Sequence, residues 1–189
     1  MPGNVVYTSN MTVGIDPSTA ESEEMAENEK TELQTGSNVL IRPMTIADYE
    51  EVHALWHTIQ GFGIRSIDDS RDVIERFIRR NPETSVVAVK NGRIVGSILC
   101  GNDGRQGSLY HVCVAQDCRR QNIGTQMVAY CMTVLRKMGI SKVTLIAFSD
   151  NDIGNAFWKH NGWRQADEVN YYDFVLNKEN ITNFIRGES

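Results

Sequence analysis

A chain of 189 residues with 41% hydrophobic side chains is long enough for one domain with a substantial core, plus a tail. Its net charge of -5 and sequence pI of about 5.4 argue against a nucleic-acid binder, which needs a basic face, and any anion site must be local because the overall field repels polyanions. No run approaches the roughly 18 apolar residues of a membrane span. The start of the chain also lacks the charged-then-apolar order of a secretory signal.

Within residues 1–36, the stretch 17–30 is acidic and almost free of large apolar side chains, so a disordered extension is expected over 1–36, followed by one domain over 37–189. Order begins with a strand at Val39-Leu40-Ile41-Arg42, closed by Pro43. Thr45 and Asp48 stand three residues apart as a capping box. Tyr49, Val52, Leu55, Trp56 and Ile59 then form one apolar helical stripe, which stops at Gly61-Phe62-Gly63. Arg65 and Ser66 fall in the following loop. Asp68, Asp69 and Asp72 place negative charge at the start of a second helix, where its dipole favours it. Val73, Ile74, Phe77 and Ile78 are its buried face, and Asn81-Pro82 ends it. Strands at 85–90 and 93–100 flank Asn91-Gly92, a hairpin signal, and a third strand covers 109–114. Strand alternation sends Tyr110 and His111 to opposite faces.

From Val112 to Thr125 an apolar strand runs into a polar loop with Arg119 and Arg120, then into a small-residue helix start. Such a junction gathers backbone N–H groups and a positive helix end at one point, which suits a phosphate or pyrophosphate. The arginine pair taken alone fits a solvated turn equally well. Ile123, Met127, Cys131, Leu135 and Met138 mark a long helix, with Gly139 as its C-cap. A strand at 142–148 returns through this crossover, parallel to 109–114. A shorter helix runs through Ala156, Phe157 and Trp158 to Asn161-Gly162. Trp163 and a strand at 171–176 complete the sheet, and Ile181, Phe184 and Ile185 anchor a polar end. The fold class is α/β with one mixed sheet, antiparallel first and parallel in its middle. Cys100, Cys113, Cys118 and Cys131 form no Cys-x-x-Cys pair, so reduced thiols in a cytoplasmic protein without a metal are expected, with Cys118 in the polar loop open to exposure.

Over residues 39–176 the chain resembles the GCN5-related N-acetyltransferase (GNAT) superfamily. Leu40-Ile41-Arg42-Pro43 with Thr45 and Asp48 looks like the family's first strand and helix. Val114-Ala115-Gln116-Asp117-Cys118-Arg119-Arg120-Gln121-Asn122-Ile123-Gly124-Thr125 looks like its acetyl-CoA motif, Arg/Gln-x-x-Gly-x-Gly/Ala. Asn151 through Trp158 to Gly162-Trp163 looks like its late motif, Asn-x6-Tyr-x3-Gly-Phe. The resemblance implies a GNAT-like fold with a splayed parallel strand pair, and direct acetyl transfer from acetyl-CoA to an amine in a ternary complex. It places the CoA pyrophosphate on Arg119, Arg120, Gln121, Asn122, Ile123, Gly124 and Thr125. The pantetheine arm falls on the backbone of Cys113 and Val114, with Asn151 and Trp158 beside it. Two departures matter. Asn122 stands where the family has a glycine, and Asn tolerates the left-handed turn. Trp158 stands where many members have a tyrosine acid, and an indole N–H does not titrate usefully.

Amide formation needs a neutral amine, a polarised thioester and a protonated leaving thiolate. His111 lies beside the implied acetyl position and is the candidate base; as a residue type it equally suits a hydrogen-bonded core histidine. Tyr171 or Tyr172 stands as a replacement acid. Phe62 and Arg65, in a loop with two glycines, are the candidate acceptor-binding residues. The acceptor is a small primary amine or a peptide, and a second copy of the chain is left open as a partner. The alternative is a non-catalytic acyl-CoA-binding or regulatory module on the same scaffold. A nucleotide-binding loop is discounted, because Gly124-Thr125 lacks the preceding lysine.

Overall fold

Arg93–Asn102 forms the longest strand, and it is buried from Ile94 to Gly101, so the sheet is built around it. The computed structural model describes residues 39–185. The expected disordered extension, residues 1–36, lies outside that range. Seven strands and four helices follow in the order β1 (Val39–Pro43), α1 (Tyr49–Trp56), β2 (Gly63–Arg65), α2 (Arg71–Arg80), β3 (Val86–Lys90), β4 (Arg93–Asn102), β5 (Gly107–Val114), α3 (Ile123–Lys137), β6 (Val143–Leu145), α4 (Asp152–His160) and β7 (Thr182–Phe184). Short 3-10 turns at Ile46–Asp48 and Gln116–Cys118 precede α1 and α3. The main sheet has five strands in the order β1-β3-β4-β5-β6, antiparallel except for the parallel β5–β6 pair.

Local chemistry explains these elements. Asn91 and Gly92 both take positive φ, 51° and 77°, which the right-twisted turn between β3 and β4 requires. The capping box forms: the Thr45 N–H donates to Asp48 Oδ2 at 2.8 Å, and Arg42 donates to both Asp48 oxygens at 2.8 and 2.7 Å. At the far end of α3, the Gly139 N–H reaches the Arg136 carbonyl and the Ile140 N–H reaches Leu135, a Schellman closure with Gly139 at φ +80°.

Neighbouring residues of β4 show which helix covers which face. Trp56 of α1 is fully buried and donates its indole N–H to Ser97 at 2.9 Å. The adjacent Gly96 faces α3, where an added Cβ would lie 2.8 Å from Met127 and 2.9 Å from the Cys113 carbonyl oxygen. Strand alternation therefore sets α1 and α3 on opposite sides of the sheet.

Four local expectations are corrected. The strand at 142–148 shortens to Val143–Leu145. No strand forms at 171–176; these residues are exposed, Tyr172 by 85% and Leu176 by 93%. Their aromatic and β-branched side chains suit a strand, but that preference needs a paired neighbour to be realised. The terminal pairing belongs instead to β7, antiparallel to β2, so the loop expected around Arg65 contains a strand. Cys118 is buried, like the other three cysteines. No helix among the described residues is long and apolar enough to cross a membrane.

Candidate active site

Pairing between β5 and β6 covers only Gly107–Val143, Ser108–Thr144 and Leu109–Leu145. Beyond Leu109 the two parallel strands part, and β5 continues to Val114 with that edge open. Which groups face the opening follows from the antiparallel pattern. The Ala115 N–H donates to the Val95 carbonyl at 2.8 Å, and Val114 stands opposite Gly96. Hydrogen-bonding direction alternates along a strand, so the backbone of Cys113 points to β4 and that of Val114 to the open edge. Val114 already uses its carbonyl there, accepting from Arg119 Nε at 3.2 Å. The Cys113 thiol lies inward, 3.4 Å from Ser97 Oγ, and burial pushes its pKa up to about 11.

The loop after β5 bends through two left-handed residues, Arg120 at φ +59° and Asn122 at φ +61°. Asn122 is the N-cap of α3, yet its side chain caps none of the first-turn amides. The amides at the start of α3 therefore lack both an intrahelical acceptor and a side-chain one. The Gln121 amide donates to the Asp117 carbonyl, and Gln121 Oε1 accepts from Lys90 at 2.6 Å, which holds this loop against the β3–β4 hairpin. Ile123 is buried beneath it. An added Cβ on Gly124 would lie 3.3 Å from the Phe157 ring and 3.8 Å from Val114. Thr125 Oγ1 donates to Asn161 at 3.1 Å. The first turn of α3, the end of β5 and the body of α4 thus meet at one place. Asn151 is the N-cap of α4, accepting the Gly154 N–H at 2.9 Å. Trp158 is half-buried between the rings of Phe157 and Trp163, at 4.9 and 5.0 Å.

A second constellation lies earlier on β5. The register moves from Ser97–Cys113 to Leu99–Tyr110, so two steps on β4 answer three on β5. This bulge places His111 at φ +47°, a conformation uncommon outside glycine. It overturns the alternation expected from the sequence. Tyr110 meets Phe77 of α2 edge-on at 6.1 Å, while His111 lies against Trp56 of α1 at 4.4 Å, so both rings reach the side covered by the first two helices. Phe62 stands on the other flank of the imidazole at 5.3 Å. His111 Nε2 lies 2.7 Å from Asp69 Oδ1, with the side chains only 16% and 7% exposed. The second Asp69 oxygen accepts the Arg65 N–H at 2.7 Å. The Arg65 guanidinium is exposed and pairs with Asp68 at 3.1 Å. Burial, then the neighbouring His57, hold the His53 pKa below its ordinary value.

Two groups are therefore assembled. His111, Phe62 and the Arg65 backbone join Asp69 and Trp56; Val114, Gly124 and Thr125 join α4. β5 carries both, and at about 3.3 Å per residue His111 and Val114 stand roughly 10 Å apart along it. Asp69 was missed as a site residue because a charge at a helix start looks self-sufficient, and nothing in sequence spacing links positions 69 and 111. Among the described residues, no group of three or more His, Cys, Asp or Glu could hold a metal ion.

Comparison with known proteins agrees with this architecture. The family model described as "Acetyltransferase (GNAT) family" matches residues 49–163. An acetyltransferase of Sodalis glossinidius is 30% identical over 129 residues, 68% of this chain and 89% of that protein. An uncharacterized N-acetyltransferase of Yersinia pestis is 34% identical over 105 residues, covering 56% and 73%. Among solved structures, AAC(6')-Iy in complex with a CoA–acetylneamine bisubstrate analogue superposes with a TM-score of 0.59 at 17% identity, covering 74% of this chain and 99% of that one. A ribosomal-protein-alanine N-acetyltransferase from Brucella melitensis gives 0.56 at 19% identity, covering 72% and 99%. A GNAT acetyltransferase from Staphylococcus aureus gives 0.60 at 18%, covering 69% and 87%. The family model and the Sodalis relative together carry the assignment: the chain belongs to the GNAT family of acetyltransferases, enzymes that pass an acetyl group from acetyl-CoA to an amine.

Proposed function

We propose that the open edge at Val114 and the uncapped start of α3 hold acetyl-CoA, and that His111 accepts the proton of the attacking amine. The observation that carries this reading is the parting of β5 from β6 beside that helix end. An extended pantetheine arm can pair with the Val114 edge as an added strand would. The pyrophosphate then falls on the amides of 119–125, where the left-handed turns at Arg120 and Asn122 and the dipole of α3 favour negative charge. Arg120, exposed, adds charge there, while the equally exposed Arg119 rests on the Val114 carbonyl. Cys113 contributes its place in the strand, its own backbone being turned to β4. Asn151 and Trp158 line the arm from α4.

Bound there, acetyl-CoA supplies an activated acyl group, and the chain supplies position and proton handling. A neutral amine must reach the thioester carbonyl, so a base within hydrogen-bond reach is required. His111 meets that need at the upper end of the same strand. Phe62 stands over the approach, and Arg65 offers charge near it. Trp158 leaves protonation of the departing thiolate to water or a tyrosine hydroxyl. The acceptor class is a primary amine of a small molecule or a peptide. The net charge of -5 keeps nucleic acid out of the partner list, and a cytoplasmic location accords with four reduced thiols. The exposed Tyr172, Phe174 and Leu176 suit burial against a second copy of the chain.

Two measurements test this reading. Hydrogen exchange with and without acetyl-CoA should show protection at 112–114 and 119–125; protection confined to other segments overturns the placement. CoA release with a panel of aminoglycosides, simple amines, and peptides with free termini or lysines should show turnover with at least one class. Tight acetyl-CoA binding without turnover on any amine favours the acyl-CoA-binding module.

A further inference from the structure

We infer that Asp69 is a positioning residue that acts through His111, holding the imidazole as its Nε2–H tautomer so that Nδ1 is the nitrogen that takes the acceptor's proton. This rests on the reading of His111 as the base. An imidazole 2.7 Å from a carboxylate donates to it, and the nitrogen bonded to the carboxylate is then the one that carries the hydrogen.

The carboxylate itself has little freedom. Oδ2 is committed to the Arg65 N–H at 2.7 Å, so Oδ1 stays aimed at His111. The Asp69 N–H donates to the Arg65 carbonyl at 3.1 Å, and the Asp69 carbonyl accepts the Tyr49 hydroxyl at 2.9 Å. The turn before it is tied to the end of the chain. The Ser66 N–H donates to the Ile181 carbonyl at 2.9 Å, and Asn180 Oδ1 accepts the N–H groups of Ile67 and Asp68 at 3.1 and 3.3 Å.

The imidazole is equally confined. Trp56 and Phe62 flank it, and the bulge at φ +47° aims it at the carboxylate rather than along the strand's ordinary alternation. A left-handed non-glycine residue costs free energy and persists only where its surroundings over-determine it. A pair kept for stability alone would show the same tautomer, so a loss of kcat at unchanged KM in Asp69→Asn is what distinguishes the two roles.

The test reads the ring directly. In 15N-histidine-labelled protein, the His111 signals are identified by their loss in His111→Gln. They should report the Nε2–H tautomer, hydrogen-bonded to a carboxylate. An Nδ1–H tautomer in the wild type overturns the inference. Asp69→Asn keeps the shape and presents an amide donor to Nε2, which forces the other tautomer. Its kcat should fall about 100-fold with the KM for acetyl-CoA unchanged. Wild-type kcat in Asp69→Asn overturns the inference. If His111→Ala lowers kcat while Asp69→Asn does not, the base survives and the positioning role fails. If His111→Ala itself turns over normally, the underlying reading of the base fails. Should Asp69→Asn not fold, an Nδ1–H tautomer in the wild type still overturns the inference, and Asp69→Glu, which keeps a carboxylate on Nε2, should retain more kcat than Asp69→Ala.

Discussion

Arg119 donates its Nε–H to the carbonyl of Val114, five residues back along the chain, and so sits on the acceptor that the open edge of β5 presents. A pantetheine amide using that carbonyl has to displace the guanidinium. Arg119 and Arg120 are therefore unequal. Arg120→Ala should raise the KM for acetyl-CoA several-fold with a salt-dependent effect, whereas Arg119→Ala should change it little. Steady-state kinetics at two ionic strengths separate them. Equal losses would show that Arg119 serves the pyrophosphate and not the strand.

Gly96 faces α3 with no room for a methyl group. A Cβ would approach the flexible end of Met127 but also the Cys113 carbonyl, which cannot move without the strand. Gly96→Ala should destabilise the domain by about 1–3 kcal/mol through overpacking. Chemical denaturation monitored by tryptophan fluorescence measures it, and an unchanged midpoint would mean that β4 and β5 shift at no cost.

Asp48 supports the start of α1, and the Arg42 guanidinium beside it holds its carboxyl below the ordinary value of 3.8. A carboxylate lowered in the folded state contributes stability that is complete above its unfolded pKa. That contribution is lost as pH falls from about 3.8 through the folded value. Asp48→Asn should thus be less stable than wild type at pH 7, with the gap closing below pH 3.8. Urea titrations across that range check the sign; a constant gap would assign the loss to the capping geometry alone.

All four cysteines are buried. Burial raises the Cys113 thiol to about 11, and the Cys131 thiol is raised by the neighbouring Cys100 and by burial. The native protein should react with less than one equivalent of an aromatic disulfide reagent, and four after denaturation. Fast labelling of one thiol in the native state would show that the Cys118 loop opens.

His111→Ala should lower kcat at saturating acetyl-CoA while leaving the cofactor's KM in place, because the ring belongs to the upper constellation and the amides of 119–125 to the lower. An unchanged rate removes His111 from the chemistry.

Much of the fold was legible because it rests on local signals. The Thr45–Asp48 box, the Asn91-Gly92 turn, the α3 stripe from Ile123 to Leu135 and the Gly139 cap are each read within a few residues and form as expected, whereas Met138, expected in that stripe, caps the helix and is 47% exposed. The left-handed Asn122, at φ +61°, was expected from the resemblance to the family's motif, which has glycine there. Features depending on distant partners were not legible. The bulge at His111 exists only relative to β4, and Asp69 gains its partner 42 residues away. The pairing of β7 with β2 joins segments more than a hundred residues apart, whereas Tyr171–Leu176 had strand-like side chains and no neighbour to pair with.

The β2–β7 ribbon makes the end of the chain a tethered ligand of its own domain. Three paired residues, with the Gly61–Ile185 and Phe62–Ile185 backbone bonds, dock it beside Phe62. An interaction of that size binds because the tether keeps its local concentration near the millimolar range. A single cut in the exposed stretch around Tyr172 would turn docking into a bimolecular event and let the fragment leave. The loop that carries Asp69 would then lose its anchor, and a cut in a segment that belongs to neither constellation would act as an off-switch for the acceptor side while the acetyl-CoA side stayed intact.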